Sequence, residues 1–156
     1  MEGQHALALK IPPPVVGLVA AILIYALAQL WPQWNFDFPF QNVLAIVLGA
    51  TGLAFDGAAI AAFFAVRTTV NPMAPGSTSS LVTSGLYRVT RNPMYLGLLL
   101  ILSGVAVYIG NPLALTVIAG FIAYITRFQI MPEEALLRQK FGADFTLYCA
   151  RVRRWL

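Results

Sequence analysis
The chain has 156 residues, 59% of them apolar and 10% charged, and its mean hydropathy of +0.75 is one that a soluble domain rarely reaches. Lipid is therefore the expected solvent, and one membrane domain over residues 1–156 uses nearly all of the chain. The net charge of +4 gathers between and after apolar stretches, so membrane lipid and no nucleic acid is the expected partner; the single Cys149 excludes an internal disulfide.

Pro12, Pro13 and Pro14 break the chain before the first of four stretches that approach the roughly 20 apolar residues of a spanning helix. That span runs from Val15 to Trp31. Because Glu2 accompanies Lys10, the lead-in is not clearly basic, and the stretch is read as a retained span rather than a cleaved leader. Trp31 to Gln41 holds two Trp, three Phe and two Pro, the composition of an aromatic anchor at the membrane boundary. The second span, Val43 to Val66, carries Asp56 near its middle, flanked by Gly52 and Gly57. An ionisable group at that depth costs about 2.5–3.5 kcal/mol. It is read as a neutral or helix-bonded carboxyl among close-packing glycines, remote from the chemistry below.

The connection from Arg67 to Arg91 exceeds the about 2–8 residues usual in bundles. Asn71, Pro72, Pro75, Gly76 and the Ser/Thr run to Ser80 predict a site-forming loop, mobile over Thr68 to Ser80 until a ligand binds. Met94 to Gly110 and Leu113 to Ile130 form the third and fourth spans. Only Asn111 and Pro112 separate them, which predicts a tight antiparallel hairpin. Pro132, Glu133 and Glu134 then open a short helix closed by Phe141 and Gly142, with Leu137 and Phe141 on one face, suited to the membrane surface. The tail beyond alternates basic and amphipathic residues fit for the headgroup zone.

Lys10, Arg67, Arg88, Arg91, Arg127, Arg138, Lys140, Arg151, Arg153 and Arg154 fall on one side only if the number of spans is even. The predicted fold is an all-α integral membrane bundle of about four transmembrane helices with a C-terminal interfacial helix. Both termini lie on the cytoplasmic side of a bacterial or archaeal inner membrane.

The densest polar segment, Thr83 to Tyr95, stands where the third span leaves the cytoplasm. Asn92 can cap that helix and Pro93 suits its first turn; Glu133 and Glu134 can meet a helix dipole. Each has this structural reading alone. Together, two carboxylates, two arginines and several tyrosines at one face make a place for a zwitterionic, water-soluble ligand.

The string G-L-Y-R-V-T-R-N-P-M-Y-L-G from Gly85 to Gly97 is followed by E-E-A-L-L from Glu133, F-G at Phe141 and Gly142, and Y-x-x-R-V from Tyr148. This combination resembles the isoprenylcysteine carboxyl methyltransferase and phospholipid methyltransferase superfamily of integral membrane enzymes. The resemblance implies S-adenosylmethionine as cofactor, S-adenosylhomocysteine as product, no metal, and a hydrophobic or lipid-like acceptor. The acceptor would be an isoprenylcysteine-type carboxylate or a lipid headgroup amine.

The family motif R-H-P-x-Y-x-G falls on Arg91, Asn92, Pro93, Tyr95 and Gly97. Asn92 stands for the usual histidine and cannot shuttle a proton. The lead-in falls on Leu81, Val82 and Gly85, followed by Tyr87 and Arg88, and the paired glutamates on Glu133 and Glu134. Segments 81–97 and 133–153 are thus the implied cofactor motifs. Glu134 and Arg151 are the implied catalytic residues, Arg151 holding the acceptor, with Arg153 where a proline usually follows. Two other classes remain: a small four-helix transporter using Asp56, and a non-catalytic membrane scaffold.

Overall fold
The computed structural model describes residues 9–65 and 80–156; the predicted loop from Thr68, up to Ser79, and Arg67 before it lie outside the described residues. The elements are α1 (Pro13–Leu30), a 3-10 turn (Pro32–Trp34), α2 (Gln41–Ala65), a 3-10 turn (Gly85–Arg88), α3 (Pro93–Ile109), α4 (Ala114–Ile125), a π turn (Thr126–Ile130) and α5 (Met131–Arg151). Among the described residues the regular structure is helical, apart from one isolated parallel bridge between Thr90 and Arg153.

Among the described residues, three helical stretches are long and apolar enough to cross a membrane: α1, α2, and the run from Ala114 through Arg151. The apolar α3 has 17 residues and packs among them, against α1, α2 and α4. Helix α1 begins inside the proline run, at Pro13, where a missing amide hydrogen costs nothing. It buries Gly17, Ala20, Ile24 and Ala28, one stripe at helical spacing. Leu18, Ile22 and Tyr25 are left exposed, as lipid-facing residues are.

Small residues bring α2 and α3 into backbone contact. A β-carbon at Gly52 would stand 2.5 Å from the Gly97 carbonyl oxygen, and one at Gly104 would stand 2.8 Å from that of Ala45. Without a hydrophobic driving force between helices in lipid, such packing is what holds them together. On the other side of α3, Ile24, Tyr95, Leu102, Phe121, Ile125 and Ile130 form the main core.

At one end of the bundle the predicted hairpin is present. Gly110 closes α3 with φ 68°, and Asn111 Oδ1 accepts from the Leu113 amide while its Nδ2 donates to Asn35 Oδ1 at 2.6 Å. Buried Gln41 donates to the carbonyls of Val107 and Tyr108, which fixes the start of α2 to the end of α3. Trp31, Trp34, Phe36, Phe38 and Phe40 are exposed here.

At the opposite end, Leu9 N donates to Phe128 O and Gln129 Nε2 to Ile11 O, and Phe63 of α2 meets Tyr87 edge-on. This is the end that carries the basic residues. The helix of the fourth apolar stretch does not stop at Ile130. It runs on through the π turn into α5 with no intervening loop, and Pro132 lies inside a continuous helix. Gly142 does interrupt it, with φ 51° and ψ −118°, but helix resumes to Arg151, beyond the point where the short helix was expected to close.

Candidate functional site
The polar cluster forms where the segment leading into α3, the start of α5 and the C-terminal strap Val152–Trp155 meet. The 3-10 turn places Tyr87, and the strap pairs in parallel with Thr90: Arg91 N donates to Arg153 O at 3.0 Å. Thr90 is fully buried, and its hydroxyl donates to Arg154 O.

Glu134 is the centre of the charge network. Its Oε1 accepts from Arg91 Nη2 at 2.8 Å and from Arg154 Nε at 3.1 Å, and its Oε2 from Arg154 Nη2 at 2.7 Å. Arg91 also donates through Nη1 to the carbonyls of Cys149 and Val152. Burial alone would raise the Glu134 carboxyl, but the hydrogen bond of Arg154 and the charges of Arg91 and Arg154 outweigh it and hold the group below its ordinary value.

Glu133, beyond the apolar stretch that ends at Ile130, has the contrary environment. Tyr95 hydroxyl donates to its Oε1. Burial pushes Glu133 up to about 8, opposed by that hydrogen bond and reinforced by the adjacent Glu134 charge. Tyr87 lies close enough to feel Glu133, and burial with the neighbouring Tyr148 and Glu133 holds its phenol well above the usual range. Tyr148 hydroxyl donates to Tyr87 O at 2.7 Å. Two adjacent carboxyls thus have their proton affinities driven in opposite directions, the pattern that separates acid and base roles in active sites.

Of the residues singled out in the sequence, Arg91, Asn92, Tyr87, Tyr95, Glu133 and Glu134 come together. Asn92 occupies the cap position of α3 but makes no side-chain cap; its amide instead donates to Arg154 O at 2.8 Å. Pro93 is buried at the first turn of α3. Leu81 packs on Phe145, Tyr148 and Val152, and Val82 on Ala59 and Tyr87; both are packing residues. Gly85 provides φ 59° at the start of its turn. Arg88 and Arg151 are exposed, and the guanidinium that joins the cluster from the C-terminal end is that of Arg154. Glu133 and Glu134 do not sit at a free helix start, since α5 continues from α4, so the helix-dipole account of them fails.

Gly97 faces α2 rather than the cluster, and what it faces is Asp56: a β-carbon there would stand 2.2 Å from Asp56 Oδ1. Asp56 is therefore against the motif helix, not remote from it, and its Oδ1 is buried without a hydrogen-bond partner. Sequence reasoning also missed Thr90, Arg154 and the Trp155–Thr126 bond, Nε1 to Oγ1 at 3.1 Å. No pattern in the chain marks one of three clustered arginines as the inward one.

A helical bundle with long apolar helices and an ion-paired cluster at its basic end is the architecture of a membrane-embedded protein. The profile of the phospholipid methyltransferase family matches residues 40–144, and the chain belongs to that family. It is 28% identical over 150 residues to protein-S-isoprenylcysteine O-methyltransferase B of Arabidopsis thaliana, covering 96% of this chain and 71% of that one. A probable protein-S-isoprenylcysteine O-methyltransferase of Oryza sativa subsp. indica is 37% identical over 79 residues, 49% of this chain and 40% of that one. An uncharacterized protein of Haemophilus influenzae is 48% identical over 63 residues, 40% of this chain and all of its own length. No solved structure gives a significant match. The chain is a membrane methyltransferase by family.

Proposed function
We propose that this protein transfers a methyl group from S-adenosylmethionine to a hydrophobic or lipid-like acceptor at the cytoplasmic face, with four membrane crossings and both termini inside. The observation that carries the reading is the Arg91–Glu134–Arg154 ion-pair cluster beside the hydrogen-bonded Glu133–Tyr95 pair, at the basic end of a chain of this family. The residues fit a zwitterionic ligand. Arg91 keeps a buried Nε without a partner, a donor suited to a carboxylate, and Glu133 offers a carboxyl to an ammonium or a ribose hydroxyl.

Bound there, the cofactor supplies a sulfonium methyl as electrophile. The chain's own part is to position and to dry the site. Tyr87, Tyr95 and Tyr148 exclude water with their rings. Arg91, fixed by two backbone carbonyls, is preorganised at no cost when the ligand arrives. Water would favour the charged ground state, so a dry, oriented pocket supplies much of the acceleration. A carboxylate acceptor needs no base; for an amine or thiol, Glu133 in its ionised form can take the proton. Arg151, exposed near the strap, can meet an acceptor's anionic group from the headgroup side.

Isothermal titration with S-adenosylhomocysteine in detergent tests this. Heat of binding that is lost in Glu133→Ala and Arg91→Ala is expected; no heat with the unaltered protein overturns the proposal. A transporter would instead respond to Asp56→Asn and tolerate Arg91→Ala.

A further inference from the structure
We infer that Arg154 is a positioning residue of this site: it fixes the Glu134 carboxylate against Arg91 and so makes the C-terminal strap a part of the pocket. The inference rests on the cofactor reading above, and goes beyond the two family motifs, neither of which includes this residue.

Arg154 contacts both oxygens of Glu134, through Nε and Nη2, the two-point grip that a guanidinium gives and an ammonium cannot. Its side chain is 36% exposed against 12% for Glu134, so it closes the carboxylate from the solvent side while Arg91 holds it from within. Arg154 is itself placed from both sides. Its carbonyl accepts from Thr90 Oγ1 at 3.2 Å and Asn92 Nδ2 at 2.8 Å, and the next residue, Trp155, is bonded to Thr126.

Asn92, where the family has histidine, therefore anchors the strap through a permanently neutral amide. The groups around Glu134 are Arg91 from the α3 lead-in, Arg154 from the strap and Glu133 beside it, with Tyr87, Tyr95 and Tyr148 next in line. Removing Arg154 leaves Arg91 still held by Cys149 O and Val152 O. The change is thus confined to the charge and orientation of Glu134.

The test is S-adenosylhomocysteine affinity measured by calorimetry between pH 5 and 9, with thermal unfolding followed in parallel. Arg154→Ala is expected to weaken binding about tenfold or more and to move the acid limb of affinity up by about one pH unit, as Glu134 loses a cation. Arg154→Lys should restore the position of the limb but not the affinity. Arg138→Ala, which removes an exposed charge from the helix that carries Glu134, should alter neither.

Should the alanine variant fail to fold, Arg154→Gln carries the same expectation. Affinity and limb unchanged in these variants, or a loss of thermal stability alone, overturns the inference and leaves the cofactor reading standing. No binding by the unaltered protein removes both.

Discussion

Replacing Gly97 by alanine tests how the motif helix is seated. The new β-carbon would stand 2.2 Å from Asp56 Oδ1, 2.8 Å from Asp56 Cγ and 2.7 Å from the Gly52 carbonyl oxygen, where ordinary contact begins at 3.4 Å. Asp56 can rotate away, but the Gly52 carbonyl belongs to a helix backbone and cannot, so α2 and α3 must separate. Overpacking of this kind costs about 1–3 kcal/mol. Gly57→Ala is the matched control: nothing lies within 4 Å of its β-carbon, and alanine gains up to about 1 kcal/mol in a helix interior. The two variants should therefore differ by about 1–4 kcal/mol. Combining Gly97→Ala with Asp56→Ala relieves the carboxyl contacts but not the carbonyl one, and should recover only part of the loss. Reversible unfolding in mixed micelles, followed through the three Trp residues, measures all of this. If Gly97→Ala proves as stable as Gly57→Ala, the backbone-contact argument is wrong.

Glu133 gives a pH signature. Its folded form binds a proton that the unfolded chain releases near the ordinary carboxyl value, so stability should fall as pH rises from about 4.5 toward about 8 and then level off. Glu133→Gln should flatten that slope, and parallel melting curves for the two proteins over pH 5–9 would count against it. Glu134 has the opposite sign: its contribution is present above the ordinary carboxyl range and is lost as acid protonates it, a limb that Glu134→Gln should abolish in the same melts. Arg91→Lys forfeits the bond to Glu134 Oε1 and those to the two backbone carbonyls, and should cost about 1.5–3 kcal/mol in thermal unfolding along with S-adenosylhomocysteine binding. Gln41→Leu, at the far end of the bundle, should cost about 1 kcal/mol through its lost carbonyl bonds and leave affinity unchanged, which separates damage to the fold from damage to the site.

The long apolar helices and the Asn111–Pro112 hairpin were legible because lipid imposes long apolar runs and a turn dipeptide favours a tight reversal. The grouping of Arg91, Tyr95, Glu133 and Glu134 was legible from charge sidedness and from the superfamily's motif spacing. The continuity of α4 into α5 was not. Pro132 reads as a helix opener, since a proline ring collides with the carbonyl four residues back. The π turn at Thr126–Ile130 places wider hydrogen-bond spacing just before it, and the helix passes. Asn92 was misread because capping is its local preference, whereas the strap that claims its amide arrives from 62 residues away. Arg154 lies among three arginines in four positions, and only tertiary geometry distinguishes which one turns inward.

From Ala114 to Phe141, ahead of the break at Gly142, the chain forms a single helical rod of about 42 Å, longer than the roughly 30 Å hydrocarbon core of a bilayer. Such a rod answers to bilayer thickness by tilting, and no loop lies between its buried length and the carboxyls of Glu133 and Glu134 to absorb the motion. Reconstitution in bilayers of graded acyl length should therefore act as a lever on ligand affinity, making the membrane's own dimensions a control on the chemistry at its surface.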